Sequence, residues 1–206
     1  LDLYKGTKQR RRRRKQKAAQ QVPPVHRISL DHFSLSPRVT SMFFGKAMVD
    51  FEAIIKGEEV EGAYGVDSKH QFLIMDTEDF DLASMPAFDS DDAHFDIAGK
   101  LNFSSDLSLS QTDPKESTGE IKLSIAQLQL YNGKAKSMGF DLMPMSFTDA
   151  ILRFNIEDGR ASVTDGRFLG DLIDAEVEGD IILNKKLSRS RLSLRIKAKI
   201  LDTAMD

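Results

Sequence analysis

Apolar residues recur at every second position along much of this chain, and a glycine is set into the apolar series. Phe95, Ile97, Gly99, Leu101 and Phe103 carry the pattern once; Ala175, Val177, Gly179, Ile181 and Leu183 carry it again. A period of two predicts β-strands. The intervening positions hold Asp96, Lys100 and Asn102 in the first series and Glu176, Glu178 and Asp180 in the second. The predicted sheet is therefore apolar on one face and wet on the other.

From Val25 onward the pattern reads as a succession of hairpins. Ile28, Leu30, Phe33 and Leu35 lead to Pro37, and residues 37–45 can supply a helical turn. Val49 to Ile55 alternates, Gly57-Glu58-Glu59 turns the chain, and Val60 to Val66 returns with Gly62 and Gly65 as strand glycines. After His70 to Met75 an acidic connection is expected through Met85-Pro86. Phe95 to Leu109 then holds one apolar register for longer than an ordinary strand. Ile121, Leu123 and Ile125 are followed by Leu128 and Leu130 in the shifted phase, which predicts a β-bulge near Ile125 and Ala126. A second helical turn is expected at residues 146–151. Leu152, Phe154 and Ile156 run into the turn Glu157-Asp158-Gly159, and Ala161 and Val163 return to Asp165-Gly166. The last hairpin pairs residues 175–183 with Leu192, Leu194, Ile196, Ala198 and Ile200. On its wet face Glu176, Glu178 and Asp180 oppose Arg195, Lys197 and Lys199. The fold class expected is mainly β: long antiparallel strands in sequential hairpins, forming a curled, taco-like sheet or half-barrel with few short helices. Glycines on its apolar face mark places where the sheet coils or another segment lies close.

Composition sharpens the division of the chain. With 206 residues and 40% hydrophobic content, a sizeable core is affordable. The chain has neither cysteine nor tryptophan, which removes disulfides and thiolate chemistry. Its apolar runs are too short for a bilayer-spanning helix. The net charge of −3 hides an asymmetry: residues 1–27 hold ten basic residues and one acid, leaving 19 basic against 31 acidic residues in the remainder. That balance argues against nucleic acid on the folded part. Residues 1–4 are expected to end a preceding strand, 5–24 to form a basic flexible loop or arm, and 25–206 to form a single β-domain. The chain opens on Leu1, and a membrane anchor upstream of this segment is expected. Arg10, Arg11, Arg12, Arg13, Arg14 and Lys15 are the candidates for contact with an anionic surface, whether lipid headgroups or nucleic-acid phosphates, or else a solvated insertion.

Candidate chemistry is sparse. His26, His32, His70 and His94 have no metal-ligand spacing. The acids Asp76, Glu78, Asp79 and Asp81, with Asp89, Asp91, Asp92 and Asp96, lack the turn glycine and closing glutamate of a calcium loop and read as solvated. No nucleophile elbow and no phosphate-binding glycine loop occurs. The reading is non-enzymatic, with no catalytic residue, metal or cofactor.

The stretch Leu172 to Ile200 resembles the closing region of the type II secretion system protein N (GspN) family. It contains Ala175-Glu-Val-Glu-Gly179-Asp-Ile-Ile-Leu183-Asn184 and Leu187-Ser-Arg-Ser-Arg-Leu192-Ser-Leu194. The hairpin Val49 to Gly65, then Leu101 to Leu109, Gly119 to Leu130 and Ile151 to Phe168, follow in that family's order. These glycine-punctuated hairpins are shared with the wider AsmA-like group. The resemblance implies the periplasmic domain of an inner-membrane protein that serves the type II secretion apparatus as a scaffold for assembly or export. The AsmA-like relationship implies a curled sheet whose apolar interior carries lipid. Partners are then other secretion-system proteins, or a second copy joined through the sheet edges, with phospholipid as the alternative. The apolar groove is expected to be lined by Phe51, Phe95, Ile97, Leu101, Phe103, Ile121, Leu123, Phe154, Val177, Ile181, Leu194 and Ile196.

Overall fold

The computed structural model describes residues 30–89, 93–135 and 139–201. Among these residues twelve strands are present: β1 (His32–Pro37), β2 (Ala47–Ile55), β3 (Glu58–Val66), β4 (His70–Asp81), β5 (Phe88–Asp89), β6 (Ala93–Ser110), β7 (Thr118–Ala135), β8 (Phe140–Asp141), β9 (Met145–Glu157), β10 (Arg160–Gly170), β11 (Ile173–Ile182) and β12 (Arg191–Ile200). One short helix, α1 (Val39–Met42), separates β1 from β2. All strands join one antiparallel sheet in the order β1-β2-β3-β4-β6-β7-β9-β10-β11-β12, with β5 laid on β6 and β8 on β7. The sheet does not close, since β1 and β12 each stand at an end of that order.

Local chemistry explains the meander. Lys56 and Gly57, and again Asp158 and Gly159, adopt positive φ in pairs, the requirement of the tight hairpin turn whose twist matches the strands. Asp81 and Asp113 cap single helical turns by accepting from the backbone N–H groups of Ala83 and Lys115. Pro114 opens the second of these, where its missing N–H costs nothing.

The expected bulge exists one residue further on. Lys100 pairs with Ala126 and Ala98 with Gln129, so Gly99 faces two residues, and Gln127 takes a φ of 53°. Three expectations are corrected. Residues 76–81 are not a connection but the far part of β4, which passes a bulge at Asp79 (φ 50°) and resumes pairing at Phe80 with Leu101. Residues 146–151 are strand, paired with both β7 and β10, because Ala150 and Ile151 are buried between those neighbours. The strand that returns through Ala161 and Val163 does not stop at Asp165-Gly166: β10 continues to Gly170 after a register shift that leaves Thr164 out of the pairing with β9. In each case a bulge shifts the alternation, which makes a continuing strand look like its end.

The sheet curls about its apolar face. Leu107, Gly119, Ile156 and Ala161 are successive partners across β6, β7, β9 and β10. Because Gly119 has no side chain, Leu107 and Ile156 meet over it and form with Ala161 the buried cluster. Leu73, Leu109, Ile121, Phe154, Ile181 and Leu183 pack around that cluster. At the strand ends beside residues 111–117, Gln71 and Leu109 share a hollow of about 260 Å³ with Leu183 and Lys185. In a flat sheet β4 and β11, five pairings apart, would be separated by about 24 Å, so the shared hollow requires the sheet to turn back on itself.

Candidate functional site: an open apolar face

Pairing register places all twelve expected groove residues on one face. One row runs Phe51, Gly62, Met75, Ser105, Ile121, Phe154 and Val163 from β2 to β10. The next holds Phe103, Leu123 and Leu152, and the one after it Leu101, Ile125, Ala150 and Phe168. Phe95 and Ile97 keep the alternation of Leu101 along β6, with Ile97 opposite Leu130. On the last hairpin Val177 faces Ile196, Gly179 faces Leu194, and Ile181 faces Leu192.

The face is open. Among the described residues no large side chain is fully buried, whereas a closed sandwich or barrel of this strand number buries many. Exposure increases toward both edges. On β12 Leu192, Ile196 and Ile200 are 68%, 70% and 64% exposed, and Phe33 and Leu35 on β1 exceed half. Among the described residues no second layer of helix or sheet covers this surface.

Alternation alone missed several members. Leu73 and Met75 line the same face, but β4 reads as the unbroken run Phe72 to Met75, whose two sides cannot be told apart in sequence. Phe72 falls on the polar face, where Lys46 Nζ sits 4.4 Å from its ring centroid. Tyr64, Leu109, Ile125, Leu152, Val163 and Phe168 are further members by register. Their period-two spacing was the available signal. The run Arg10 to Lys15 lies outside the described residues.

The opposite face is a lattice of ion pairs and hydrogen bonds. Register sets Glu178 against Arg195 and Glu176 against Lys197, and Lys197 Nζ reaches diagonally to donate to Glu178 Oε1 at 2.5 Å. Asp180 accepts from Ser162 Oγ at 2.9 Å and pairs with Arg160 at 3.4 Å. Lys100 pairs with Asp81 at 3.4 Å. A hollow of about 430 Å³ on this face is lined by Ser34, Asp50, Glu52, Glu61 and Asp76, with Arg38 paired to Asp50. Among the described residues no group of three His, Asp or Glu side chains is arranged to hold a metal ion.

Four carboxylates are held below their usual range. For Asp67 the main cause is donation from the backbone N–H groups of Lys69 and His70, and for Asp81 it is donation from Ala83. For Glu120 and Glu178 it is hydrogen bonding from Lys122 and Lys197. A group whose folded pKa is depressed adds stability above its unfolded value, and that stability is lost as pH falls through the folded value. The melting temperature is therefore expected to decline as pH drops below about 4, and Asp67→Asn is expected to make that acid limb shallower. A melting temperature flat from neutral pH into strong acid would contradict this assignment.

No protein-family model, curated protein or solved structure matches the chain. Among the described residues no helix is long and apolar enough to cross a membrane.

Proposed function

We propose that this chain is a non-enzymatic module that shelters the acyl chains of a lipid on its open apolar face. The observation that carries the reading is a continuous apolar surface spanning the ten-strand path, curled and uncovered by any other described residue, with large side chains more than half exposed at both edges. A soluble surface of that extent and chemistry is unfavourable unless something apolar lies on it. Acyl chains suit it because they need no hydrogen-bond partners, and the face offers few, chiefly Ser105, Thr77, Tyr64 and, toward the strand ends, Gln71 and Glu58. The ion pairs of Lys100 with Asp81, Arg160 with Asp180 and Lys197 with Glu178 lie on the opposite face.

A second reading takes its support from the sheet edges. Among the described residues β1 and β12 each leave one side of the strand unpaired, and such an edge is a template for another chain. In that reading the protein is a scaffold, as its resemblance to type II secretion system protein N implies, acting in the periplasm beside the inner membrane and pairing with secretion-system components or with itself. The two readings differ in what meets the apolar face. Titration with a fluorescent phospholipid analogue separates them: saturable binding at a fixed stoichiometry is expected for the lipid-holding module. A featureless, non-saturating signal would leave the scaffold in possession of the face and overturn the first reading.

A further inference from the structure

In an antiparallel meander, alternate connections lie at the same end of the strands. Here one end gathers residues 38–46, 67–69, 111–117, 158–159 and 183–190. The first of these carries Phe43 and Phe44, which are 85% and 83% exposed, the highest values among the exposed large apolar side chains. Met42 and Val39 beside them are also more than half exposed. This tip is well ordered by its own hydrogen bonds. The N–H of Phe44 and that of Lys46 donate to the Ser41 carbonyl, that of Gly45 donates to Met42, and both the N–H and the hydroxyl of Ser41 donate to Arg38. Gly45 closes it with a φ of 72°. Two adjacent rings are thus held outward by a built turn rather than left on a loose strand.

The chemistry of the same end fits one class of surface. The other connections at this end of the strands hold Lys69, Lys115, Lys185, Lys186 and Arg189, all exposed, against Asp67, Asp113, Glu116 and Asp158. At the opposite end residues 56–57, 82–87, 139–144 and 171–172 hold Lys56 against Asp141 and Asp171. Aromatic rings flanked by cations are the composition of a segment that enters a bilayer interface and faces anionic headgroups. We propose that this end of the sheet docks on an anionic phospholipid surface, with Phe43 and Phe44 entering the interface. The inference deepens the lipid-holding reading and rests on it for its purpose: acyl chains reaching the apolar face need an end at which to leave a bilayer. The apolar face extends to this end through Leu109 and Leu183.

Because the chain has no tryptophan, Phe43→Trp introduces a single reporter at the tip. The whole 206-residue chain is mixed with phosphatidylcholine vesicles made with and without phosphatidylglycerol. The docking arrangement gives a blue shift of the reporter with the anionic vesicles, and flotation of the wild-type chain that Phe43→Ser/Phe44→Ser weakens about tenfold or more. The serine variant is expected to keep wild-type affinity for a phospholipid analogue supplied in solution, because the tip is not part of the groove. An unshifted reporter, or serine-variant flotation equal to wild type, would overturn the proposal. Flotation abolished by replacing Arg10 to Lys15, but untouched by the serine variant, would assign the contact to the basic run instead. Docking retained without analogue binding would overturn the groove reading and leave the tip's role standing.

Discussion

Gly119→Val is expected to be the most destabilising single change on the apolar face. Gly119 holds a φ of 149°, a conformation that side-chain-bearing residues rarely adopt. A Cβ there would overlap the Asp106 carbonyl oxygen and lie 2.9 Å from Leu107 Cα and 3.0 Å from its Cδ2. The strain cannot be relieved locally, because Gly119 pairs with Leu107 on one side and Ile156 on the other, two residues of the buried cluster. Backbone strain of this kind costs about 1–3 kcal/mol and overpacking about as much again. A loss of roughly 3 kcal/mol or more is thus expected in chemical denaturation, with Gly119→Ala intermediate. A valine variant within about 0.5 kcal/mol of wild type would mean that the close meeting of Leu107 and Ile156 over the glycine does not hold the curl.

The second large effect concerns the ligand rather than the fold. Leu101 and Phe103 sit mid-strand on β6, half-buried, facing Ile125 and Leu123 across the β6–β7 pairing. Leu101→Ser/Phe103→Ser keeps two residues that a strand tolerates, while it removes two large contacts from the middle of the face. Burial of such side chains against a partner contributes about 1.5–3 kcal/mol each when complete. Affinity for a phospholipid analogue is expected to fall on the order of a hundredfold, with the far-ultraviolet circular dichroism of a β-protein retained. Ile74→Ser provides the counterpart: Ile74 is similarly placed on β4 but faces the polar side, opposite Ala63 and Asp106. It should leave binding within about twofold. Equal losses from both variants would show that the effect is general destabilisation.

Much of this architecture was legible where alternation ran without interruption. β6 displays Phe95 to Leu109 in one register, and the β11–β12 hairpin sets Glu176 against Lys197 and Glu178 against Arg195 as the spacing suggested, whereas Asp180 faces Ser193 and Lys199 faces Asp174 because the register is offset from the one expected. The bulge at Gln127 was visible as a change of phase between Ile125 and Leu128. The same device hid other boundaries, since bulges at Asp79 and Thr164 break the period in strands that continue to Asp81 and Gly170. The strand through residues 146–151 escaped detection because Phe147 precedes a second phase change, after which Phe147 meets Phe168 edge-on at 6.1 Å. Whether the sheet closes was beyond reach of any local pattern. Alternation assigns residues to a face, but closure depends on whether the first and last strands meet, and they do not. The exposure of Phe43 and Phe44 was equally hidden: a short apolar run between two strands reads the same whether it points inward or out.

The lipid-holding claim is tested most directly by native mass spectrometry of the purified chain, with lipid extraction from the same sample. A species heavier than the 23.1 kDa chain by one or a few phospholipid masses, at fixed stoichiometry and with the matching lipid in the extract, is the predicted result. A lipid-free species, whether a single chain or a defined multiple of it, would contradict the prediction and give the apolar face to protein.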